Sequence, residues 1–321
     1  MQTRSPVVSV VIPTYNRASF IRGAIESVLT QTYGDLELLV VDDGSTDDTP
    51  AVVAAIRDAR LRYIRCDTNE GAAAARNRGI REARGEYVAF QDSDDVWLAG
   101  KLDKQMRAFD AAADAGVVYC GFRREHYGVR SYIPDRSLPV REGDIHQQLL
   151  IENFVSAQTI VARRSALQRA GPFDPSLQPL EDWDMALRLS KHFRFALVDE
   201  PLVQSRMQTD SISADVQNYI RGFTGVVAKH EEELRRNAPV LAKHYGTIAH
   251  CLCVSGQMRE GRSWYLRAVR LNPAHLPHAA GVLLSFLGRG PYLAAARLHH
   301  RLVKPDKAVP FLYGRVRGPV A

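Results

Sequence analysis

Two β-branched, apolar runs near the start of the chain, residues 7–13 and 36–41, each break off at a polar turn. The first ends in Pro-Thr-Tyr-Asn and the second in Asp42-Asp43-Gly44-Ser45. Behind each comes a helical segment, residues 19–31 with Phe20, Ile21, Ala24, Ile25, Val28 and Leu29 at helical spacing, and residues 49–59. The alternation goes on with a weaker strand at 60–65, a helix at 72–83 and a strand at 87–90. Strands alternating with helices predict right-handed βαβ units, hence an α/β, Rossmann-like domain whose central sheet is mostly parallel and covered on both faces. Such sheets bind ligands in the crevice beyond the carboxyl ends of their strands. Tyr15-Asn16, Asp42-Asp43 and Gln91-Asp92-Ser93-Asp94-Asp95 all fall at those ends, so a polar site is expected there.

From about residue 218 the signal is helical only, which divides the chain into an α/β domain over residues 1–217 and a helical C-terminal region with a basic tail over 218–321. Its 321 residues exceed what one hydrophobic core usually organises, in keeping with that division. Residues 257–287 resemble one unit of a tetratricopeptide-like helical hairpin, and a single unit has to bury its apolar face on a neighbour. The net charge of +6 is carried entirely by the C-terminal region, where residues 230–321 hold 14 Lys/Arg against 5 Asp/Glu. That excess suits a solvated basic face, a polyanionic acceptor or peripheral contact with an anionic membrane. No motif points to nucleic acid.

The apolar start is too short for a secretory signal, and the stretch 279–287 is far short of the roughly 20 residues a spanning helix needs. A cytoplasmic protein is expected, with the inner face of the membrane as its place of peripheral contact. Cys66, Cys120, Cys251 and Cys253 lack zinc-site spacing and read as reduced thiols.

Asp92, Asp94 and Asp95 put three carboxylates into four residues, where a pair at contact distance repels by about 1 to 4 kcal/mol. A divalent cation held by hard oxygen ligands, Mg2+ or Mn2+, would relieve that repulsion and bridge to diphosphate oxygens. The alternative is a solvated Asp-rich turn that caps the next helix.

Four ordered segments carry a resemblance: residues 8–17 (VSVVIPTYNR), 40–49 (VVDDGSTDDT), 69–79 (NEGAAAARNRG) and 91–95 (QDSDD). Together they resemble the motifs of family 2 glycosyltransferases of GT-A fold, over about residues 6–215. The resemblance implies an inverting enzyme that moves a sugar from a nucleotide-diphosphate donor to a hydroxyl of a saccharide or lipid-linked acceptor in cell-surface polysaccharide or glycoconjugate synthesis; UDP is expected as the commonest such nucleotide, with thymidine or guanosine diphosphate open. It places nucleotide contacts on Pro13, Tyr15, Asp43, Arg76, Asp92 and Ser93, and the Mn2+ or Mg2+ ligands on Asp92 and Asp94 (the DXD motif), with Asp95 in support. Asp42 reads as a turn residue, and Asn16 and Arg17 read equally as site or turn.

Downstream, residues 179–188 (PLEDWDMALR) resemble the family's Glu-Asp motif, which implies that Asp182 is the catalytic base. A helix N-cap is the competing reading of Asp182. Glu181 and Trp183 would then face the acceptor, and Asp184 has a weaker claim as base. Residues 154–164 and 171–174 resemble the acceptor-side strand and loop. One departure stands out: many relatives carry Arg-x-His where this chain reads Arg206-Met207-Gln208. A nucleotidyltransferase would want a Gly-rich basic loop beside the first strand, a dehydrogenase a G-x-G-x-x-G, and neither is present. An inactive scaffold of the same fold is the alternative from a different class.

Overall fold

The structure is a computed structural model that describes residues 5–126, 129–206 and 215–303. The chain divides into two compact units, one of Met1–Pro175 and Glu181–Met207, the other of Ser176–Leu180 and Gln208–Ala321.

The first unit is built on a nine-stranded sheet. Its first half follows the sequence pattern: β1 (Val8–Thr14), α1 (Ile21–Leu29), β2 (Leu36–Asp42), α2 (Thr49–Ala54), β3 (Leu61–Arg65), α3 (Ala72–Glu82) and β4 (Tyr87–Phe90). Every residue of β1, β2 and β4 is buried, as expected for strands covered on both faces. These strands lie in the order β3-β2-β1-β4, all parallel. The helix expected over 49–59 stops at Ala54, where the Ala55 and Ile56 amides close the last turn on Ala51 and Val53. Helix α3 lies very close to the sheet: a Cβ at Gly79 would sit 2.3 Å from Val11 Cγ1, so only glycine admits this approach.

Beyond β4 the sheet departs from the expectation of a mostly parallel one. It continues through β5 (Val96–Trp97), α4 (Lys101–Ala111), β6 (Ala115–His126), β7 (Val129–Ile133), α5 (His146–Ile151), β8 (Ile160–Arg163), α6 (Arg164–Ala170), α7 (Glu181–Ser190) and β9 (Arg194–Arg206). Strand β8 runs antiparallel to both β4 and β6, β7 antiparallel to β6, and β5 antiparallel to β9, while β6 and β9 are parallel. The sheet is therefore mixed. The physical reason is the connection: a hairpin-like return such as β6–β7 can only pair antiparallel strands, whereas parallel pairs need a crossover.

The second unit holds α8 (Val216–Lys229), α9 (Glu231–Leu234), α10 (Ala238–Ser255), α11 (Met258–Leu271), α12 (Leu276–Phe286) and α13 (Arg289–Val303). Asp215 caps α8 by accepting from the Gln217 and Asn218 amides, and Gly256, at φ 98°, ends α10 in the left-handed region. Ala249, Cys253, Tyr265 and Tyr292 form a small core of their own. Burial pushes the Cys251 thiol up to about 12 and the Cys253 thiol to about 11, as for inert core cysteines.

Candidate active site

The carboxyl ends of β1, β2 and β4 bring the three polar clusters together, and the loops that carry them are tied to one another. Pro13 lies in β1 opposite Val41, and Tyr15 follows it, 40% exposed. Asn16 takes a left-handed conformation, φ 51°. Its amide donates to Ser45 Oγ at 2.9 Å, and its side-chain oxygen accepts from the Thr46 amide at 2.8 Å. Asn16 is thus a latch between two strand-end loops, the contacts its turn reading expects. Asp42, fully buried, accepts from the Ser45 amide and the Tyr63 hydroxyl, as befits a turn residue. Asp43 reaches across to the loop before α3, where its carboxylate accepts from the Glu70 amide at 3.0 Å and the Gly71 amide at 2.6 Å. Burial nonetheless raises its pKa, against the pull of those two amides.

Arg76 is the hub of the next layer. It is 6% exposed on α3, donates to Asp92 and to Glu181 at 2.7 Å each, and lies over the Phe173 ring at 5.7 Å. Burial disfavours its charge, but Asp92 and Glu181 outweigh burial and hold the guanidinium firmly protonated. Asn77, its neighbour, clamps the loop before α7: it donates to the Phe173 carbonyl at 2.8 Å and accepts from the Phe173 amide at 2.7 Å.

Asp92, Ser93, Asp94 and Asp95 follow β4 as expected. Asp95 is buried, and its carboxyl is held well above the usual range by burial and then by the charges of Asp92 and Asp94. Among the described residues no three His, Cys, Asp or Glu side chains converge on one metal position. Arg76 offsets part of the charge at Asp92, and the remaining crowding of carboxylates at Asp92, Asp94 and Asp95 fits a hard cation that keeps waters or takes further oxygens from a ligand. Trp97 belongs to the core, its indole N–H donating to the Gln158 carbonyl at 3.2 Å.

Helix α7 brings its first turn to the same place. Glu181 is 5% exposed, and while its Oε1 meets Arg76, its Oε2 has no hydrogen-bond partner in the protein. Asp182 accepts from Asn153 Nδ2 at 3.4 Å. Its carboxyl is pushed up to about 7, by burial first, then by the Glu181 charge, with Arg76 pulling the other way. Trp183 is 2% exposed and donates its indole N–H to the Leu149 carbonyl, which leaves no ring surface for an acceptor. Asp184 is fully buried and paired with Arg188 at 2.9 Å, and Arg188 in turn holds the Ala170, Gly171 and Pro172 carbonyls. That anchoring removes Asp184 from the candidates for base. Gln208, the departure from Arg-x-His, lies outside the described residues.

Sequence reasoning missed Asn77, Asn153 and Arg188. Asn77 stands inside the Asn-Glu-Gly to Asn-Arg-Gly segment, yet only the fold shows that it grips Phe173, 96 positions away.

The model of the family described as glycosyl transferase family 2 matches residues 9–171, a span that runs from the second residue of β1 past β8 and includes the acidic cluster. The chain belongs to glycosyl transferase family 2. Bacillus subtilis TuaG, a glycosyltransferase named for teichuronic acid biosynthesis, is 31% identical over 67% of this glycosyltransferase and 84% of its own length. Among solved structures, Staphylococcus aureus TarS (residues 1–349, in complex with UDP-GlcNAc) superposes with a TM-score of 0.62 at 17% identity, covering 90% of this chain and 92% of that one. The mannosyltransferase PcManGT of Pyrobaculum calidifontis, in complex with GDP-Man and Mn2+, gives 0.56 at 21% identity, covering 94% and 89%. At those identities the likeness shows the GT-A-like fold with its helical extension.

Proposed function

We propose that this glycosyltransferase inverts the anomeric carbon of a nucleotide-diphosphate sugar as it passes the sugar to a hydroxyl acceptor, with Asp182 as the base. One observation carries the reading: the first turn of α7 sets Asp182 next to Glu181, at the edge of the Arg76, Asp92 and Glu181 cluster, where burial and the Glu181 charge raise its pKa to about 7. The acceptor hydroxyl gives its proton to the Asp182 carboxylate. Its oxygen bonds to the anomeric carbon from the face opposite the diphosphate, and the bond from that carbon to the leaving oxygen breaks.

Donor binding is assigned to Pro13, Tyr15, Asp43, Arg76, Asp92 and Ser93. Tyr15 can lie against the base, and Asp43 keeps carboxylate lone pairs beyond those taken by Glu70 and Gly71. Asp92 and Asp94 would hold Mn2+ or Mg2+, which supplies positive charge for the departing diphosphate. Glu181 Oε2, buried and unpartnered in the protein, is the acceptor-side atom of choice for a hydroxyl donor, in place of Trp183.

UDP remains the proposed nucleotide, and guanosine is its competitor, since TarS and PcManGT were solved with one of each. The acceptor is a saccharide or a lipid-linked saccharide of a cell-surface polymer, a reading TuaG's name supports. Among the described residues no helix is long and apolar enough to cross a membrane, and peripheral contact with the inner face is part of the proposal.

A thermal-shift screen of UDP- and GDP-sugars with Mn2+, followed by product analysis, tests the proposal, because a ligand of the native state raises its melting temperature. Stabilisation by a nucleotide sugar without donor turnover in any acceptor mixture would favour the inactive scaffold. No stabilisation by either nucleotide would reject the donor site.

A further inference from the structure

Helix α12 turns much of its apolar surface outward. The residues it buries are His278, Gly281 and Ser285, while Leu276, Leu283 and Phe286 are exposed at 76%, 69% and 67%, with Leu287 just after it at 63%. Gly281 is required on the inner face, because a Cβ there would meet the Tyr265 ring at 2.5 Å. At 3.6 residues per turn, positions 276, 283 and 287 fall on one stripe with 286 beside them. Val282 and Leu284 pack against the core, but a helix that packed for stability alone would turn its other leucines inward as well. A contiguous exposed apolar patch marks a contact surface.

The charge of the segment that carries the stripe points to what it contacts. Residues 258–303 contain seven arginines and one acidic residue, Glu260. Arg262 stacks on the exposed Phe286 ring at 3.9 Å, and Arg289 is anchored through the Val254 carbonyl at the start of α13. His278 adds no charge at neutral pH, because burial and the neighbouring His275 lower its pKa to about 4. A second copy docked on the same face would set arginines against arginines, a repulsive pairing. An anionic lipid surface complements both features, taking the leucines into its acyl boundary and the arginines at its headgroups.

We infer that α12 is an interfacial membrane anchor, with Leu276, Leu283, Phe286 and Leu287 inserted into an anionic bilayer. The inference deepens the peripheral-contact part of the proposed function, and it stands apart from the transfer chemistry.

Co-sedimentation of the full chain with phosphatidylcholine vesicles, with and without phosphatidylglycerol, tests it. Binding is expected only with phosphatidylglycerol and should weaken as salt is raised. Leu283→Ser with Leu287→Ser should lower the partition coefficient by on the order of tenfold or more, from the apolar surface lost. Arg262→Gln, which removes the guanidinium lying on Phe286, should lower it as well and flatten its salt dependence. The leucine pair is solvent-exposed, so its melting temperature and its nucleotide-sugar stabilisation should match the wild type, which keeps this test separate from the donor reading. Equal binding to both vesicle types, or wild-type binding by the leucine pair, would overturn the anchor. So would a wild-type dimer that the leucine pair converts to monomer without loss of vesicle binding.

Discussion

Arg76 and Glu181, 105 positions apart in the chain, meet in a buried ion pair at 2.7 Å. The other arm of the same guanidinium holds Asp92, so one side chain connects the acidic cluster after β4 to the start of α7. Removing it would leave two carboxylates without their counter-charge. Arg76→Met is expected to cost about 3–5 kcal/mol of stability, read from the urea midpoint. Arg76→Lys should recover only part, because an ammonium cannot span both partners as the planar fork does. Full recovery by lysine would show that charge alone, not geometry, matters here.

Asp182 gives a prediction in which stability and turnover move in opposite directions. Its folded pKa of about 7 lies above the unfolded value of 3.8. Between those values the native state holds a proton that the unfolded chain has released, so the wild type loses stability as pH rises through that window. Asparagine cannot ionise. Asp182→Asn should therefore melt higher than wild type above pH 7 and level with it at pH 4, while turnover falls by ~10²–10⁴-fold. Wild-type kcat/KM should climb with pH through about 7. A purely capping Asp182 would leave turnover within a few-fold in the variant.

Asp94→Ala should remove the Mn2+-dependent part of nucleotide stabilisation with the fold intact, since it deletes a proposed ligand and relieves a carboxylate that raises the pKa of Asp95. The metal-free melting temperature should hold or rise. Undiminished Mn2+ dependence in the variant would reject Asp94 as a ligand.

Asp184→Ala should behave as a structural lesion. Its carboxylate is buried against Arg188, which carries the 170–172 carbonyls, so a loss of about 3–5 kcal/mol is expected. Activity per folded molecule should stay near wild type, and a thousandfold loss at unchanged stability would return Asp184 to the list of bases.

The parts of this molecule that the sequence made legible share a physical cause. Strands β1, β2 and β4 are buried on both faces, so they read as unbroken apolar runs, and the helices between them keep a clear 3.6-residue period. Strand β5 is only two residues long, and β9 is rich in charged and polar residues toward its end, so neither leaves a period to find. The mixed half of the sheet was hidden for that reason. At the site, motif order gave the positions of Asp92, Asp94 and Asp182, but pairings such as Arg76 with Glu181 or Asn77 with Phe173 span about a hundred residues and leave no local trace. Burial also separates neighbours that spacing treats alike: Asp182 and Asp184 are two residues apart, yet only the second is locked to an arginine.

The latches at the strand ends bear on how a donor would be met. Asn16 fastens the first loop to the second, and Asp43 fastens the second to the start of α3, all through backbone amides of the protein itself. The walls of the proposed donor cleft are thereby preorganised, and the entropy of ordering them is spent in folding instead of in the encounter. Breaking a latch, as in Asn16→Ala, should then slow nucleotide association and make its binding entropy less favourable, while the atoms that touch the nucleotide stay the same.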